Sequence, residues 1–327
     1  MASSGSGERK LVKEIPGNLL IYDDGTVERL RDTDIVPPSI DAAGPNGVST
    51  KDVVYLPELN LSARLYLPTA AAGGENRKLP LVIYFHGGGF CVASPFCAKY
   101  HRYVSRLAAE SQSVVVSFDY RLAPENPIPA AYEDSQAALR WAFSHRAGNG
   151  PEPWLNSHAD FDRAFLLGDS AGGNIVHNLA MAAGDPDFGL KGGILGMALV
   201  QPFFWGSEPI GSEVQFPDKM VKAVASHVWP YVSPSHPDND DPQINPVAAN
   251  GPGLVGLGCR RVLVCVGEAD VLKDRGWLYY ETLRKCGWAG VAEIDETEGK
   301  GHGFHLYELE SEKAGALIKR LATFFNS

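Results

Sequence analysis

A Gly-Asp-Ser-Ala-Gly pentapeptide at residues 168–172 limits the possible fold of this chain more than any other feature. The apolar run 164–167 before it is typical of a buried strand, and the run 174–183 after it has a helical pattern. A serine between glycines on such a strand-to-helix turn indicates a nucleophile elbow, because the sharp turn leaves no room for a Cβ at either glycine. The helix N–H groups then point at the raised Ser170 hydroxyl. Taken alone, the pentapeptide is also typical of an ordinary glycine-rich turn.

A second glycine-rich segment also follows an apolar run. Residues 81–85 predict a buried strand, and the sequence His-Gly-Gly-Gly-Phe at 86–90 comes directly after it. Successive glycines leave backbone N–H groups bare, and the tetrahedral intermediate of acyl transfer needs such donors aimed at its oxyanion. We therefore predict an oxyanion hole formed by the amides of Gly88, Gly89 and Ala171. A flexible glycine loop without this role is the alternative.

An acidic residue and a histidine complete a possible catalytic set. Asp270 ends a Gly-Glu-Ala-Asp segment after the apolar run 262–266, and His302 stands between two glycines. A carboxylate at the carboxyl end of a strand can orient a histidine and stabilise the imidazolium that forms. We therefore predict that Ser170 is the nucleophile, that His302 is its general base and that Asp270 orients the base. Glu268 is the local competitor of Asp270.

A further histidine, His305, follows three residues after His302 and is predicted to be structural. The two histidines have the form of a metal-ligand pair, but the sequence contains no third ligand cluster to complete a site. Acyl transfer by serine, histidine and aspartate needs no other group. The sequence therefore predicts an enzyme with no metal and no other cofactor.

Taken together, these motifs resemble those of the hormone-sensitive-lipase branch of the α/β-hydrolases. They lie at residues 86–90, 168–172, 267–270 and 301–305. Within that branch they are similar to plant carboxylesterases, a group that also contains gibberellin receptors and 2-hydroxyisoflavanone dehydratases. The resemblance spans roughly residues 15–325 and includes further motifs at 21–29 and 119–125. The order serine, acid, histidine along the chain is also that of an α/β-hydrolase. The resemblance implies an α/β-hydrolase fold, with a mostly parallel central sheet, helices on both faces and a cap over the site.

Two positions distinguish the functions found in this group. Gibberellin receptors resemble the esterases but lack the catalytic histidine, whereas this chain has His302. Some of the dehydratases have threonine at the nucleophile position, whereas this chain has Ser170. We therefore expect a serine carboxylesterase that hydrolyses a small or medium organic ester through an acyl-enzyme intermediate. The alternatives are a dehydratase or lyase acting on a plant secondary metabolite with the same triad, and a non-catalytic small-molecule receptor.

Apolar runs alternate with helical patterns along most of the chain, which favours a largely parallel sheet covered on both faces. Ligands of such sheets bind outside the carboxyl ends of the strands, where the candidate residues fall. Two further short runs, 53–56 and 63–67, predict an antiparallel pair at the edge. The apolar runs are 81–85, 114–118, 164–167, 195–200 and 262–266, and the helical patterns lie near 98–110, 135–144, 173–183, 274–286 and 311–325.

Two segments, residues 1–45 and 203–245, interrupt this alternation. By resemblance they form the cap of a single domain that spans residues 1–327. The second segment is rich in aromatic residues and proline, and its rings either line an acyl or alcohol pocket or form the core of the cap. We predict that four residues near the elbow, the glycine loop and the cap bind substrate: Phe90, Asp169, Trp205 and Trp229.

The charge and cysteine content exclude several other classes of function. A net charge of −10 and a pI near 5.4 disfavour binding to nucleic acid or to an anionic membrane surface. No apolar stretch approaches the ~18–20 residues that a membrane span needs. The five cysteines form no C-x-x-C pair, and the polar start of the chain lacks the apolar region of a secretory signal. These features predict free thiols and a cytoplasmic enzyme whose partner is a small-molecule ester.

Overall fold

The computed structural model describes residues 9–40, 46–69, 78–190 and 192–327. Within these ranges, a three-stranded antiparallel sheet precedes a central sheet of eight strands. The small sheet contains β1 (Leu11–Ile15), β2 (Leu19–Tyr22) and β3 (Val27–Arg29). The central sheet contains β4 (Val48–Leu56), β5 (Leu61–Pro68), β6 (Leu79–Phe85), β7 (Val114–Phe118), β8 (Ala159–Asp169), β9 (Ile194–Val200), β10 (Cys259–Gly267) and β11 (Val291–Thr297).

The central sheet has the strand order β11-β10-β9-β8-β6-β7-β5-β4. Neighbouring strands from β11 to β7 are all parallel, while β5 is antiparallel to both β7 and β4. The mostly parallel sheet and the antiparallel edge pair predicted from the sequence are therefore confirmed. Both faces of the parallel strands are buried, which explains why they appear in the sequence as continuous apolar runs.

Helices cover both faces of this sheet. In β6, the side chains of Leu81, Ile83 and Phe85 belong to one hydrophobic core, and those of Val82 and Tyr84 belong to another, because successive side chains of a strand point to opposite faces. Helices α2, α4 and α6 pack on the first face, and α1 and α8 pack on the second. The helices are α1 (Ala98–Ser111), α2 (Ala130–Phe143), α3 (Pro153–His158), α4 (Ala171–Gly184), α5 (Lys219–Val232), α6 (Lys273–Lys285), α7 (Phe304–Tyr307) and α8 (Glu312–Asn326).

Several elements were not predicted from the sequence: the small sheet, helices α3, α5 and α7, and strand β11. Strand β11 has the sequence Val-Ala-Glu-Ile-Asp-Glu-Thr and lies at the sheet edge, where most of its side chains are only half-buried. It therefore lacks the apolar run that marks the inner strands. Among the helices of the described residues, none reaches the length and apolar character needed to cross a bilayer. All five cysteines are free of disulfide bonds.

Arg29 anchors the small sheet to the body of the protein. Its Nε donates to the carbonyl of Cys91 at 2.8 Å, and its Nη1 and Nη2 donate to the two carboxylate oxygens of Glu125 at 2.9 and 2.8 Å. Arg29 and Glu125 are the last residues of the two motifs that extend the resemblance, so this ion pair joins them. The ammonium of Lys13, in β1, lies 4.1 Å from the ring centroid of Tyr231 in α5. The small sheet thus contacts both the glycine loop and α5.

The segments predicted as a cap are only partly described, because residues 1–8 and 41–45 lie outside the described residues. Of the remainder, the small sheet comes from the first segment and α5 from the second. Ile15 and Asn18 of the first segment and Ala225 and Val228 of the second line the same cavity. That cavity opens at the carboxyl ends of the parallel strands, beside Ser170.

Candidate active site

Ser170 stands on the sharp turn between β8 and α4. Its backbone angles, φ 52° and ψ −118°, lie in a region that non-glycine residues rarely adopt. A Cβ added at Gly168 would lie 2.2 Å from the carbonyl oxygen of Gly172, and one added at Gly172 would lie 2.0 Å from that of Phe85. Residues 168 and 172 must therefore both be glycine. The backbone around Ser170 has the geometry of a nucleophile elbow.

The side chains of Ser170, His302 and Asp270 form one continuous chain of hydrogen bonds. The Nε2 atom of His302 lies 2.9 Å from the Oγ of Ser170, and its Nδ1 lies 2.8 Å from the Oδ2 of Asp270. Asp270 is buried, and its Oδ1 accepts the backbone N–H of Leu272 at 3.0 Å. Each residue follows the carboxyl end of a parallel strand, namely β8, β11 and β10. Residues far apart in sequence thus meet at one edge of the sheet.

The carboxylate of Asp270 controls the charge of His302. Burial by itself lowers the pKa of His302, but the negative charge of Asp270 and the hydrogen bond to it act in the opposite direction, and the net result is a pKa above the ordinary value of 6.5. His305 differs, because burial without a carboxylate partner lowers its pKa to about 3. Its ring packs edge-on against Tyr103, with the centroids 5.0 Å apart. His305 is therefore a neutral residue of the core.

Gln201 holds the loop of His302, a role that the sequence analysis missed. Its Oε1 accepts the N–H of Gly303 at 2.7 Å, and its Nε2 donates to the carbonyl of Gly301 at 3.0 Å. The amide thus binds the backbone on both sides of His302, and it is itself buried. Gln201 directly follows the apolar run of β9. A polar residue at the carboxyl end of a parallel strand was therefore the available signal.

The glycine loop lies next to the elbow. Gly88 has a φ of 109° and Gly89 a φ of 60°, and both line the cavity together with Ser170. A Cβ at Gly88 would lie 2.1 Å from the carbonyl oxygen of Val92, so the loop needs glycine at this position. Ala171 is the first residue of α4, and the N–H groups of a first helical turn have no partner within the helix.

Asp169 connects the elbow to the glycine loop. Its Oδ1 accepts the hydroxyl of Tyr84, and its Oδ2 accepts the hydroxyl of Tyr100 at 2.9 Å. The Tyr100 hydroxyl in turn accepts the N–H of Gly87 at 2.9 Å. Burial raises the pKa of Asp169, although the two tyrosine hydroxyls act to lower it. Asp169 thus fixes the loop from within the core.

The cavity beside Ser170 has a volume of about 170 Å³ and a largely apolar wall. Its basic residues are Arg31 and His302, and its polar side chains include Asn18 and Ser170. Cys91 also lines it, and burial raises the pKa of this thiol to about 12. The complete lining is Ile15, Asn18, Arg31, Gly88, Gly89, Cys91, Ser170, Phe203, Ala225, Val228, Val271, Leu272 and His302.

The four residues predicted to bind substrate, Phe90, Asp169, Trp205 and Trp229, do not line this cavity. Phe90 and Trp229 are buried and pack together with their ring centroids 6.3 Å apart, and Phe203 rather than either of them reaches the wall. Trp205 is buried beneath the guanidinium of Arg275, and Asp169 faces the tyrosines. Their role in substrate binding therefore stays a prediction without support from the cavity wall. The three rings are buried because apolar rings next to a site gain more from packing in the core than from facing an open cavity.

Among the described residues, no group of three His, Cys, Asp or Glu side chains is placed to hold a metal ion. Asp270 and His302 are hydrogen-bonded to each other. The arrangement brings together a serine hydroxyl, an imidazole and a carboxylate beside the glycine loop, and acyl transfer by serine requires groups of these types.

Comparisons with known proteins agree with this geometry. The sequence family described as "alpha/beta hydrolase fold" matches residues 82–306. "Probable carboxylesterase 13" of Arabidopsis thaliana is 47% identical and covers 94% of this chain and 95% of its own length, and "2-hydroxyisoflavanone dehydratase" of Glycyrrhiza echinata is 42% identical over 99% of each. A solved thermostable carboxylesterase cloned from a metagenomic library has a TM-score of 0.71 and 27% identity, over 89% of this chain and 90% of its own. This chain therefore belongs to the α/β-hydrolase fold family, in the group of plant carboxylesterases and 2-hydroxyisoflavanone dehydratases.

Proposed function

We propose that the protein is a serine carboxylesterase that hydrolyses small or medium organic esters through an acyl-enzyme intermediate. The observation that carries this proposal is the unbroken path of hydrogen bonds from Ser170 through His302 to Asp270, at 2.9 and 2.8 Å, beside an open cavity. A serine hydroxyl is a weak nucleophile at neutral pH and needs an adjacent base of this kind. Relatives named carboxylesterases support the same reaction class.

In the proposed first step, the Oγ of Ser170 attacks the carbonyl carbon of the ester while Nε2 of His302 accepts the hydroxyl proton. The Nδ1–H of His302 donates to Asp270, whose carboxylate stabilises the imidazolium. The carbon–oxygen bond to the alcohol then breaks, and His302 gives its proton to the departing oxygen. Water repeats the sequence on the acyl-enzyme, releasing the acid and restoring Ser170.

The N–H groups of Gly88, Gly89 and Ala171 form the proposed oxyanion hole. The hydrogen bond from Gly87 to Tyr100 supports this assignment, because it holds the loop rigid against α1. Preorganised donors stabilise the transition state without having to reorient as the charge develops.

We also infer that the described parts of segments 1–45 and 203–245 act as a cap on the single domain, since side chains of both line the cavity.

Release of p-nitrophenol from p-nitrophenyl butyrate tests the proposal. We expect wild-type protein to turn over this ester and Ser170→Ala to lose at least about 10³-fold in kcat, because the remaining groups no longer provide a nucleophile. Equal rates for the two proteins would overturn the proposal.

We also propose that the protein is cytoplasmic. A fluorescent fusion tests this location, and accumulation of the fusion in an organelle would contradict it.

Elimination is a second candidate function, favoured by the 42% identity to a protein named 2-hydroxyisoflavanone dehydratase. The same base, His302, would then remove a proton from carbon while a hydroxyl group leaves as water. Product mass separates the two reactions, because hydrolysis adds one water to the substrate and dehydration removes one. The intact hydrogen bonds of His302 favour either reaction over a receptor without turnover.

A further inference from the structure

Arg31 brings a positive charge to the wall of a mainly apolar cavity. Arg31 and His302 are the basic side chains among the described lining residues. Its Nη1 donates to the hydroxyl of Tyr307 at 2.8 Å. Its Nε is shielded from solvent and has no hydrogen-bond partner within the described parts of the chain. Since buried donors are normally paired, the guanidinium of Arg31 lacks one of the acceptors that it would usually have.

The nearest carboxylate does not neutralise Arg31. The Oδ2 of Asp32 lies 3.8 Å from the Nε of Arg31, which is too long for a hydrogen bond. Asp32 is instead bound by Lys99, whose Nζ lies 2.8 Å from each carboxylate oxygen. Lys99 also donates to the Tyr307 hydroxyl at 3.3 Å. Asp32 is therefore hydrogen-bonded by Lys99 and not by Arg31, and Arg31 lines the cavity without a hydrogen bond to this carboxylate.

This local charge contrasts with the net charge of −10 of the whole chain. It also acts on the site. Burial is the larger influence that lowers the pKa of His302, and the positive charge of Arg31 lowers this pKa further. The rest of the wall is apolar, with Ile15, Val228 and Leu272 among its residues. A molecule that matches this cavity has an apolar body and one anionic end.

We propose that Arg31 recognises a carboxylate on the ester substrate. The planar guanidinium suits this group, because its N–H donors match the two oxygens of a carboxylate. The guanidinium of Arg31, whose hydrogen bond in this structure goes to the hydroxyl of Tyr307, would then gain a carboxylate acceptor when substrate binds. This inference rests on the proposed ester hydrolysis and narrows its substrate class to esters that also carry a carboxylate, on either the acyl or the alcohol side.

Matched pairs of esters test the proposal on each side. For the acyl side, 4-nitrophenyl hydrogen adipate is compared with 4-nitrophenyl hexanoate. For the alcohol side, 4-(butanoyloxy)benzoate is compared with its methyl ester. The readout is the ratio of kcat/KM for the charged ester to kcat/KM for the neutral ester. It is measured at a pH well above the pKa of His302. This ratio cancels any effect of Arg31 on the base itself, since both esters use the same base.

We expect Arg31→Gln to lower this ratio about tenfold in one of the two pairs, which is the effect of losing a hydrogen bond to a charged group. Arg31→Lys keeps the charge without the planar donors and should give an intermediate ratio. Arg102→Gln is the matched control, because it removes the same charge from the exposed surface of α1. An unchanged ratio in both pairs for Arg31→Gln would overturn the inference.

A binding measurement separates this inference from the proposed function. The Ser170→Ala variant cannot form an acyl-enzyme, so calorimetry measures its affinity for monomethyl adipate and for methyl hexanoate without turnover. We expect the charged ester to bind more tightly, and the added change Arg31→Gln to remove that preference. If wild-type protein hydrolyses no ester but this preference is present, the proposed function fails while the anion site stands. Equal affinity for the two esters counts against the anion site alone.

Discussion

The hydroxyl of Tyr100 donates to Oδ2 of Asp169 and accepts the N–H of Gly87, both at 2.9 Å. One side chain of α1 thus joins the residue before the nucleophile to the loop of the proposed oxyanion hole. The position of Gly88 relative to Ser170 depends on this link, because the loop has few side chains of its own to fix it. Donor geometry in an oxyanion hole must be accurate to be effective.

Tyr100→Phe should lower kcat for p-nitrophenyl butyrate about tenfold with a smaller change in KM, since loosened donors weaken binding of the transition state more than of the ester. Tyr103→Phe is the matched control on the same helix. Its hydroxyl is buried and has no partner within the described chain, so removing it should leave kcat near the wild-type value. Similar losses of kcat in both variants would contradict the role given to Tyr100.

The bonds from Gln201 to both sides of His302 lead to a second prediction. Gln201→Met keeps the approximate volume but leaves the Gly303 N–H and the Gly301 carbonyl without their partner. We expect a loss of about 1–3 kcal/mol in the free energy of unfolding and a clear fall in kcat. Denaturant titration and steady-state kinetics measure the two effects. A variant with lower stability but unchanged kcat would show that Gln201 does not position His302.

The pH dependence of kcat/KM follows from the raised pKa of His302. The base must be neutral, so kcat/KM should be low in acid and should rise with pH through an inflection above 6.5. In Asp270→Asn the carboxylate no longer raises this pKa, and burial then lowers it, so the inflection should move to lower pH. The same variant should lose about 10⁴-fold in kcat, because an amide does not hold the correct tautomer. An inflection that stays in place in Asp270→Asn would contradict the assignment of the acid.

The anchor between Arg29 and Glu125 leads to a prediction about the proposed cap. Arg29→Met removes the hydrogen bonds to Glu125 and to the carbonyl of Cys91. We expect KM to rise more than kcat falls, because Ile15 and Asn18 of the small sheet would no longer be held against the cavity. Arg9→Gln is the control, since its pair with Asp24 is longer, at 3.7 Å, and largely exposed. Equal KM values for wild type and Arg29→Met would argue against the cap.

The sequence predicted the parts of the site that depend on the backbone. Ser170, Asp270 and His302 each follow a strand, and a parallel sheet brings such positions to one edge. The strands before Ser170 and Asp270 were recognisable because they are buried on both faces, whereas β11, which precedes His302, is only half-buried and was missed. Helix α5 was also missed, because Pro230 lies inside it and a proline is not expected within a helix.

The residues that line the cavity could not be predicted in the same way. Phe90 and Trp229 have the chemistry of a binding pocket, yet they pack on each other in the core. Arg31 has no motif around it, and it lines the cavity from a position two residues after the end of β3. Which side chain faces a cavity depends on tertiary packing, and local sequence patterns do not record it.

Labelling with paraoxon, followed by peptide mass spectrometry, tests most directly whether Ser170 and His302 act together as nucleophile and base. An organophosphate phosphorylates an activated serine and leaves the adduct in place. We predict one diethylphosphoryl group per chain, on the peptide that contains Ser170, with loss of esterase activity in proportion to labelling. We also predict much slower labelling of His302→Ala. Labelling of a different residue, or labelling of His302→Ala at the wild-type rate, would contradict these predictions.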